Sequence, residues 1–184
     1  IGNLIFLAPE EAFVSYIKLS LLFGFMLCFP FILYQGWAFV SPAVQRNKQI
    51  NIMVWVVLAL ILFISGILFS YYVALPAALK FLIYFGQDIA TPAIAINKYI
   101  SFFVAFMLIG GTVFEIPIII GLLTDIGLLR TAVLRKHRRY AILVIVIIAA
   151  VITPTQDVVN LAVFSIPMFL LYEAGILIAG LIEK

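Results

Sequence analysis

Charged residues are scarce in this sequence. Only 10% of its 184 residues are Asp, Glu, Lys or Arg, whereas 66% are hydrophobic. A soluble domain has about 25% charged and about 45–50% apolar residues, so a soluble globular fold is excluded. Cys28 is the only cysteine, so the chain can form neither an intrachain disulfide nor a cysteine-based metal cluster.

Catalytic signatures are missing as well. The sequence contains no Walker-type phosphate-binding loop, no H-E-x-x-H zinc motif and no dinucleotide-binding fingerprint. Its three aspartates, Asp88, Asp125 and Asp157, fall in predicted loops or at the ends of predicted helices. His137, the only histidine, lies in a basic loop. We therefore expect that the chain is not an enzyme and that it uses no cofactor and no metal.

Long apolar stretches make up most of what is present. A membrane-spanning helix needs about 20 mostly apolar residues. The apolar stretches predict an all-α polytopic membrane protein, one domain over residues 1–184, with spans at about 12–40, 50–73, 99–123, 140–152 and 158–182. The fourth span is short, about 20 Å long, so we expect it to cross with help from local thinning of the bilayer or from snorkelling of Arg138 and Arg139. Between the second and third spans, LPAALKFLIYFG (75–86) predicts a short amphipathic helix lying on the external membrane surface.

The basic residues predict the orientation of these spans. Five spans place the two ends of the chain on opposite sides. One face collects 8 of the 11 basic residues, namely Arg46, Lys48, Arg130, Arg135, Lys136, Arg138, Arg139 and Lys184. The positive-inside rule makes this face cytoplasmic, with the C-terminus inside and Ile1 outside. A cytoplasmic start would then require one more helix before Ile1. We interpret the basic run as a topology signal and expect no nucleic-acid partner.

Two carboxylates lie within predicted spans. Glu115 is deep in the third span, and Pro117 follows it by two residues. A charge at membrane depth costs about 2.5–3.5 kcal/mol, and such groups usually mark functional sites. Glu173 lies nearer the cytoplasmic end of its span, and for it we favour a structural role. Pro30, Pro117 and Pro167 predict bent helices, because proline removes a backbone donor and crowds the preceding turn.

The residues alone leave two classes of function open. One is a small-solute transporter that uses Glu115 as a proton site. The other is a scaffold that binds other helices or peptides along a concave surface between bent helices. Transporter folds usually consist of two related halves, and the sequence shows no internal repeat.

Several short stretches point to one family by their order and spacing. They are FPFILYQGWAF (29–39) with Pro42, FEIP (114–117), LRKHRRY (134–140), TPT (153–155) with Asp157, and IPM (166–168) with Tyr172 and Glu173. In these stretches the chain resembles TatC, the multispanning subunit of the twin-arginine protein translocase. The resemblance covers essentially all 184 residues.

The resemblance implies a fold and a function. TatC-like proteins have six helices, both termini in the cytoplasm and a concave, glove-shaped bundle. The implied function is binding of twin-arginine signal peptides of folded proteins and recruitment of TatA- and TatB-type single-span subunits, driven by the proton-motive force. Self-association, contact with membrane lipid and a bacterial cytoplasmic (inner) membrane, or an organellar membrane of bacterial descent, are also implied. A proton-coupled small-solute transporter and a divergent TatC-like assembly scaffold remain the alternatives.

The resemblance also implies roles for particular residues. The signal-peptide or translocation surface would include Glu115, Phe39, Glu11 and Pro9. A partner helix would dock at Thr153, Pro154, Asp157 and Glu173. The chain departs from the family at Lys48, where a glutamate that helps to bind the arginine pair is usual. A lysine there would repel two arginines by Coulomb's law.

Overall fold

The described part of the chain is almost entirely helical. The computed structural model describes residue 5 and residues 7–40, 52–86, 94–153 and 158–183. In these ranges the helices are α1 (Glu11–Val40), α2 (Ile52–Phe69), α3 (Leu75–Gly86), α4 (Ile96–Phe114), α5 (Ile116–Asp125), α6 (Thr131–Lys136), α7 (Arg138–Ile152) and α8 (Val158–Ile182). The predicted all-α class is confirmed.

Four helical segments of the described residues are long and apolar enough to cross a membrane. They are Glu11–Gly36, Met53–Tyr84, Ile96–Asp125 and Val158–Ile182. Helix α7 has 15 residues and is therefore about 22 Å long, shorter than a hydrocarbon core of about 30 Å. The thinning of the bilayer around α7 stays a prediction.

Helices α2 and α3 form one continuous helical segment. The sequence predicts a span ending near residue 73 and a separate surface helix after it, but no loop divides the two helices. A π-helical turn, Ser70–Ala74, joins them, and the N–H of Leu75 donates to the Ser70 carbonyl oxygen, five residues back. Pro76 has no N–H, and its ring crowds the carbonyl four residues earlier. The wider turn relieves this crowding, so the helix continues past the proline.

Helices α2 and α4 cross closely because glycines face each other. A Cβ atom on Gly66 would lie 2.4 Å from the carbonyl oxygen of Gly110. One on Gly110 would lie 2.9 Å from the carbonyl oxygen of Gly66. The ring of Phe63 fills the space over Gly111, where a Cβ would come within 2.5 Å of it. Small residues of this kind allow the backbones of membrane helices to touch.

Of the three prolines predicted to bend helices, only one coincides with a helix break. Helix α1 continues through Pro30 and α8 through Pro167. Pro117 follows the boundary between α4 and α5. Bending of α1 and α8 stays a prediction.

Candidate functional site at a helix break

Glu115 lies at the break between α4 and α5. Its N–H donates to the carbonyl oxygen of Thr112 at 3.1 Å, and its own carbonyl accepts from the N–H of Ile119 at 3.0 Å. Pro117 cannot donate, and its ring crowds the carbonyl four residues earlier. The sequence predicts one kinked span over 99–123, and in the structure the segment Ile96–Asp125 is divided into α4 and α5 at the glutamate.

The residues on either side of Glu115 pack against two different helices. Before it, Phe114 packs on α2, where a Cβ on Gly66 would lie 2.8 Å from the Cβ of Phe114. After it, Pro117 packs on α8, where a Cβ on Gly175 would lie 3.3 Å from the Cα of Pro117. Glycine on both neighbouring helices lets them approach the break. The backbone on both sides of Glu115 is therefore held in place by packing.

The carboxyl group of Glu115 is buried. Its side chain is only 6% exposed, and among the described residues Oε1 has no hydrogen-bond partner. A buried polar oxygen without a partner is costly, and an intramembrane carboxylate is more costly still. The group can accept a hydrogen bond from an entering peptide or helix, or it can hold a proton. In the described part of the chain no three His, Cys, Asp or Glu side chains could together hold a metal ion.

An apolar groove lies between α1 and α4. It forms a cavity of about 770 Å³ whose lining includes Phe25, Leu108 and Thr112. Thr112 lies in the last turn of α4 and precedes Glu115 by three residues. The Thr112 hydroxyl donates to the Leu108 carbonyl at 2.8 Å, which leaves the groove wall without a free donor there.

The other residues predicted for the signal-peptide surface lie along α1. Glu11 begins this helix, and its Oε2 accepts from the N–H of Leu7 at 3.1 Å, which closes the preceding turn. Pro9 is exposed in that turn. Phe39 is the penultimate residue of α1, and its side chain is outside the described residues. Glu11 and Phe39 are about 42 Å apart along a straight helix, so they do not form one contact site.

The residues predicted to dock a partner helix are also separated. Thr153 follows the C-terminal end of α7, where its hydroxyl donates to the carbonyl of Ala149 at 2.6 Å and is buried. Glu173 instead pairs with Arg138 at the other end of α7, with 2.8 Å between Oε2 and Nη2. Pro154 and Asp157 lie outside the described residues. Thr153 and Glu173 therefore lie near opposite ends of α7.

Two polar links were not predicted from the sequence. Nζ of Lys18 on α1 donates to Oδ1 of Asn97 and Oγ of Ser101 on α4. The hydroxyl of Tyr172 donates to the carbonyl of Leu134 at 3.0 Å. The helical spacing of Asn97 and Ser101 was the available signal for the first link, since residues four apart share a helix face.

The chain is similar to known proteins over most of its length. The family model "Sec-independent protein translocase protein (TatC)" matches residues 2–167. TatC proteins of Koribacter versatilis and Carboxydothermus hydrogenoformans are each 37% identical over 181 residues, which is 98% of this chain and 66% and 74% of theirs. A crystal structure described as the twin-arginine translocase receptor TatC superposes with a TM-score of 0.79 at 36% identity, over 99% of this chain and 80% of that one.

Long apolar helices packed through glycine, with one carboxyl group buried at a helix break, define a polytopic helical membrane protein. The family match over most of the chain is more specific. The chain belongs to the TatC family of Sec-independent protein translocases. The family is one of translocase components, so the expectation that the chain is not an enzyme is confirmed.

Proposed function

We propose that this chain acts as the signal-peptide-binding core of a twin-arginine translocation system in a bacterial cytoplasmic membrane. Membership of the TatC family and the likeness to a twin-arginine translocase receptor support this proposal. In this proposal the basic end of the bundle, with Arg130 and Arg135, faces the cytoplasm, and the C-terminus lies on the same side. TatA- and TatB-type subunits would dock as single helices near Thr153 and Glu173.

The observation that carries the proposal is the carboxyl group of Glu115. It is buried at a helix break and lacks a partner on Oε1 among the described residues. A polar side chain of a bound peptide or helix can donate a hydrogen bond to this carboxyl oxygen. Binding of this kind requires a positioned acceptor and no catalytic group, in agreement with a translocase subunit.

The direct test is Glu115→Ala in the full-length protein. Export of a folded twin-arginine reporter should fall at least about tenfold, because a hydrogen bond to a charged group contributes about 1.5–3 kcal/mol. The amount of protein in the membrane should stay the same. Glu10→Gln is the matched control, because Glu10 is an exposed acid in the turn before α1.

Full export by Glu115→Ala at a normal protein level would overturn the role of this carboxyl group. Uptake of a small solute by proteoliposomes under a pH gradient, without any partner subunit, would overturn the translocase function itself and favour a transporter. Co-purification with single-span helices but no contact with signal peptides would indicate an assembly scaffold.

A second test concerns Lys48, which lies outside the described residues. Lys48→Glu should strengthen cross-linking to a twin-arginine signal peptide, because a carboxylate attracts the arginine pair that a lysine repels. Lys48→Gln is the control, because it removes the positive charge that repels the arginine pair without adding a negative charge that attracts it. Unchanged or weaker cross-linking of Lys48→Glu would show that the arginine pair is bound elsewhere.

A further inference from the structure

Lys18 is a cation held inside a membrane helix. It follows the start of α1 at Glu11 by seven residues, which is about 10 Å along the helix axis. Its ammonium group donates to Asn97 Oδ1 and to Ser101 Oγ at 2.7 Å, and the Ser101 hydroxyl donates in turn to the Asn97 carbonyl. Lys18 is therefore tied to α4 and does not simply extend to the membrane surface.

A backbone bridge near the start of α4 helps to position the ammonium group of Lys18. Ile5 forms an isolated parallel bridge with Ala95, through a bond from Ile5 N–H to the Ile94 carbonyl and one from Ile96 N–H to the Ile5 carbonyl, each 3.1 Å. The bridge holds the segment before α1 against the start of α4. Asn97 lies in the first turn of α4, so the bridge also fixes the position of the Lys18 acceptors along the axis of α1.

The positive charge of Lys18 is not neutralised by the described residues. Both of its acceptors are neutral, and the ammonium group has three donors, so one N–H remains available. An unpaired cation at this depth is costly. A negatively charged ligand would lower that cost.

The apolar groove between α1 and α4 begins at Lys18. Its volume of about 770 Å³ lies within the range of about 300–1,000 Å³ typical of small-molecule sites. From Lys18 to Cys28 the groove extends about 15 Å along α1. Its apolar lining consists of Leu21, Leu22, Gly24, Phe25, Cys28, Val104 and Leu108.

We propose that this groove binds an anionic phospholipid. The headgroup phosphate accepts a charge-assisted hydrogen bond from Lys18, and one acyl chain lies along the apolar wall formed by α1 and α4. This goes beyond the translocase function, because it assigns a lipid site that holds α1 and α4 together.

A lipid fits the groove better than a protein segment. An acyl chain needs no hydrogen bonds, whereas an extended peptide at this depth would leave its backbone groups unsatisfied. A helix of a second copy would have to bring an anion to Lys18. The acids of this chain that lie within spans are unsuitable, because Glu115 is buried and Glu173 is paired with Arg138.

The test uses the full-length protein in nanodiscs that contain phosphatidylglycerol with a photoactivatable group on one acyl chain. Cross-links mapped by mass spectrometry should fall on α1 between residues 21 and 28 and on α4 between 104 and 108. Lys18→Gln should reduce this labelling about tenfold, the effect of losing one charge-assisted hydrogen bond. Lys18→Arg should preserve it. Lys98→Gln is the matched control, because Lys98 is an exposed lysine near the start of α4 that does not line the groove.

Headgroup selectivity separates a lipid site from a structural effect of Lys18. Unlabelled phosphatidylglycerol should compete at least about tenfold better than phosphatidylcholine in the wild type, and the two should compete equally in Lys18→Gln. If Lys18→Gln does not fold, Leu108→Trp fills the groove, keeps the cation and should abolish the acyl cross-links. Equal labelling of wild type and Lys18→Gln, equal competition by both lipids in the wild type, or labelling of other helices would overturn the proposal.

Discussion

Substituting alanine for Gly110 tests the close crossing of α2 and α4. The new Cβ would lie 1.7 Å from Ser70 Oγ, 2.9 Å from Ser70 Cβ and 2.9 Å from the carbonyl oxygen of Gly66. Rotation of the Ser70 side chain can move its hydroxyl away. The Ser70 Cβ and the Gly66 oxygen cannot rotate away, because their positions are set by the backbone of the π-helical turn and of α2, respectively. The two helices must therefore separate.

The size of the effect follows from these distances. Ordinary contact begins at 3.4 Å, so two atoms at 2.9 Å require about 0.5 Å of separation. Overpacking a well-packed core costs about 1–3 kcal/mol, and two backbone-fixed contacts justify the upper end, about 3 kcal/mol. The higher helix propensity of alanine raises the free energy of unfolding by about 1 kcal/mol, which offsets part of this cost. We expect Gly110→Ala to lower the free energy of unfolding by about 2 kcal/mol.

Gly24→Ala is the matched control. A Cβ on Gly24 would meet nothing within 4 Å, so this variant should gain the helix propensity without the steric cost. The propensity contribution cancels between the two variants, and their difference of about 3 kcal/mol corresponds to about 6–12 °C in melting temperature. Thermal unfolding of the purified protein in detergent measures it. Melting temperatures within about 2 °C of each other would refute the close crossing.

Two further substitutions test the contacts of α8. Tyr172→Phe removes the hydrogen bond to the Leu134 carbonyl and should lower the free energy of unfolding by about 1 kcal/mol. Tyr84→Phe, at an exposed tyrosine, is the control and should leave the free energy of unfolding unchanged. Equal melting temperatures for the two variants would contradict the hydrogen bond. Arg138→Gln should cost less than about 1 kcal/mol, and less still at high salt, because the pair with Glu173 is partly exposed. A loss of more than about 2 kcal/mol would show that this pair is buried in the membrane-embedded protein.

Helix positions could be inferred from the sequence with good accuracy. The interval predicted for the last span, 158–182, agrees with α8, Val158–Ile182. The segment 75–86 has the bounds of α3, but α3 continues from α2 and is not the separate surface helix that the sequence predicts. Each backbone group in a membrane must be satisfied within its own helix, so the position of an apolar stretch largely decides where the helix lies.

The candidate site could be inferred only in part. Glu115 stands out as an acid in an apolar stretch, but its burial between residues packed on α2 and α8 depends on Gly66 and Gly175. The roles of Glu115, Glu11 and Thr153 stay predictions. Family motifs select such residues by position in the chain, and this selection carries no information on which of them meet in space.

Composition, the spacing of apolar stretches and a few short motifs were therefore sufficient for the helical membrane class and the TatC family. The tertiary structure decided how the helices meet: the wide turn that joins α2 to α3, the break at Glu115 and the link from Lys18 to Asn97. That link joins residues 79 positions apart. Local sequence determines where a helix forms because helical hydrogen bonds join residues four apart, whereas packing joins distant residues and so depends on the whole fold.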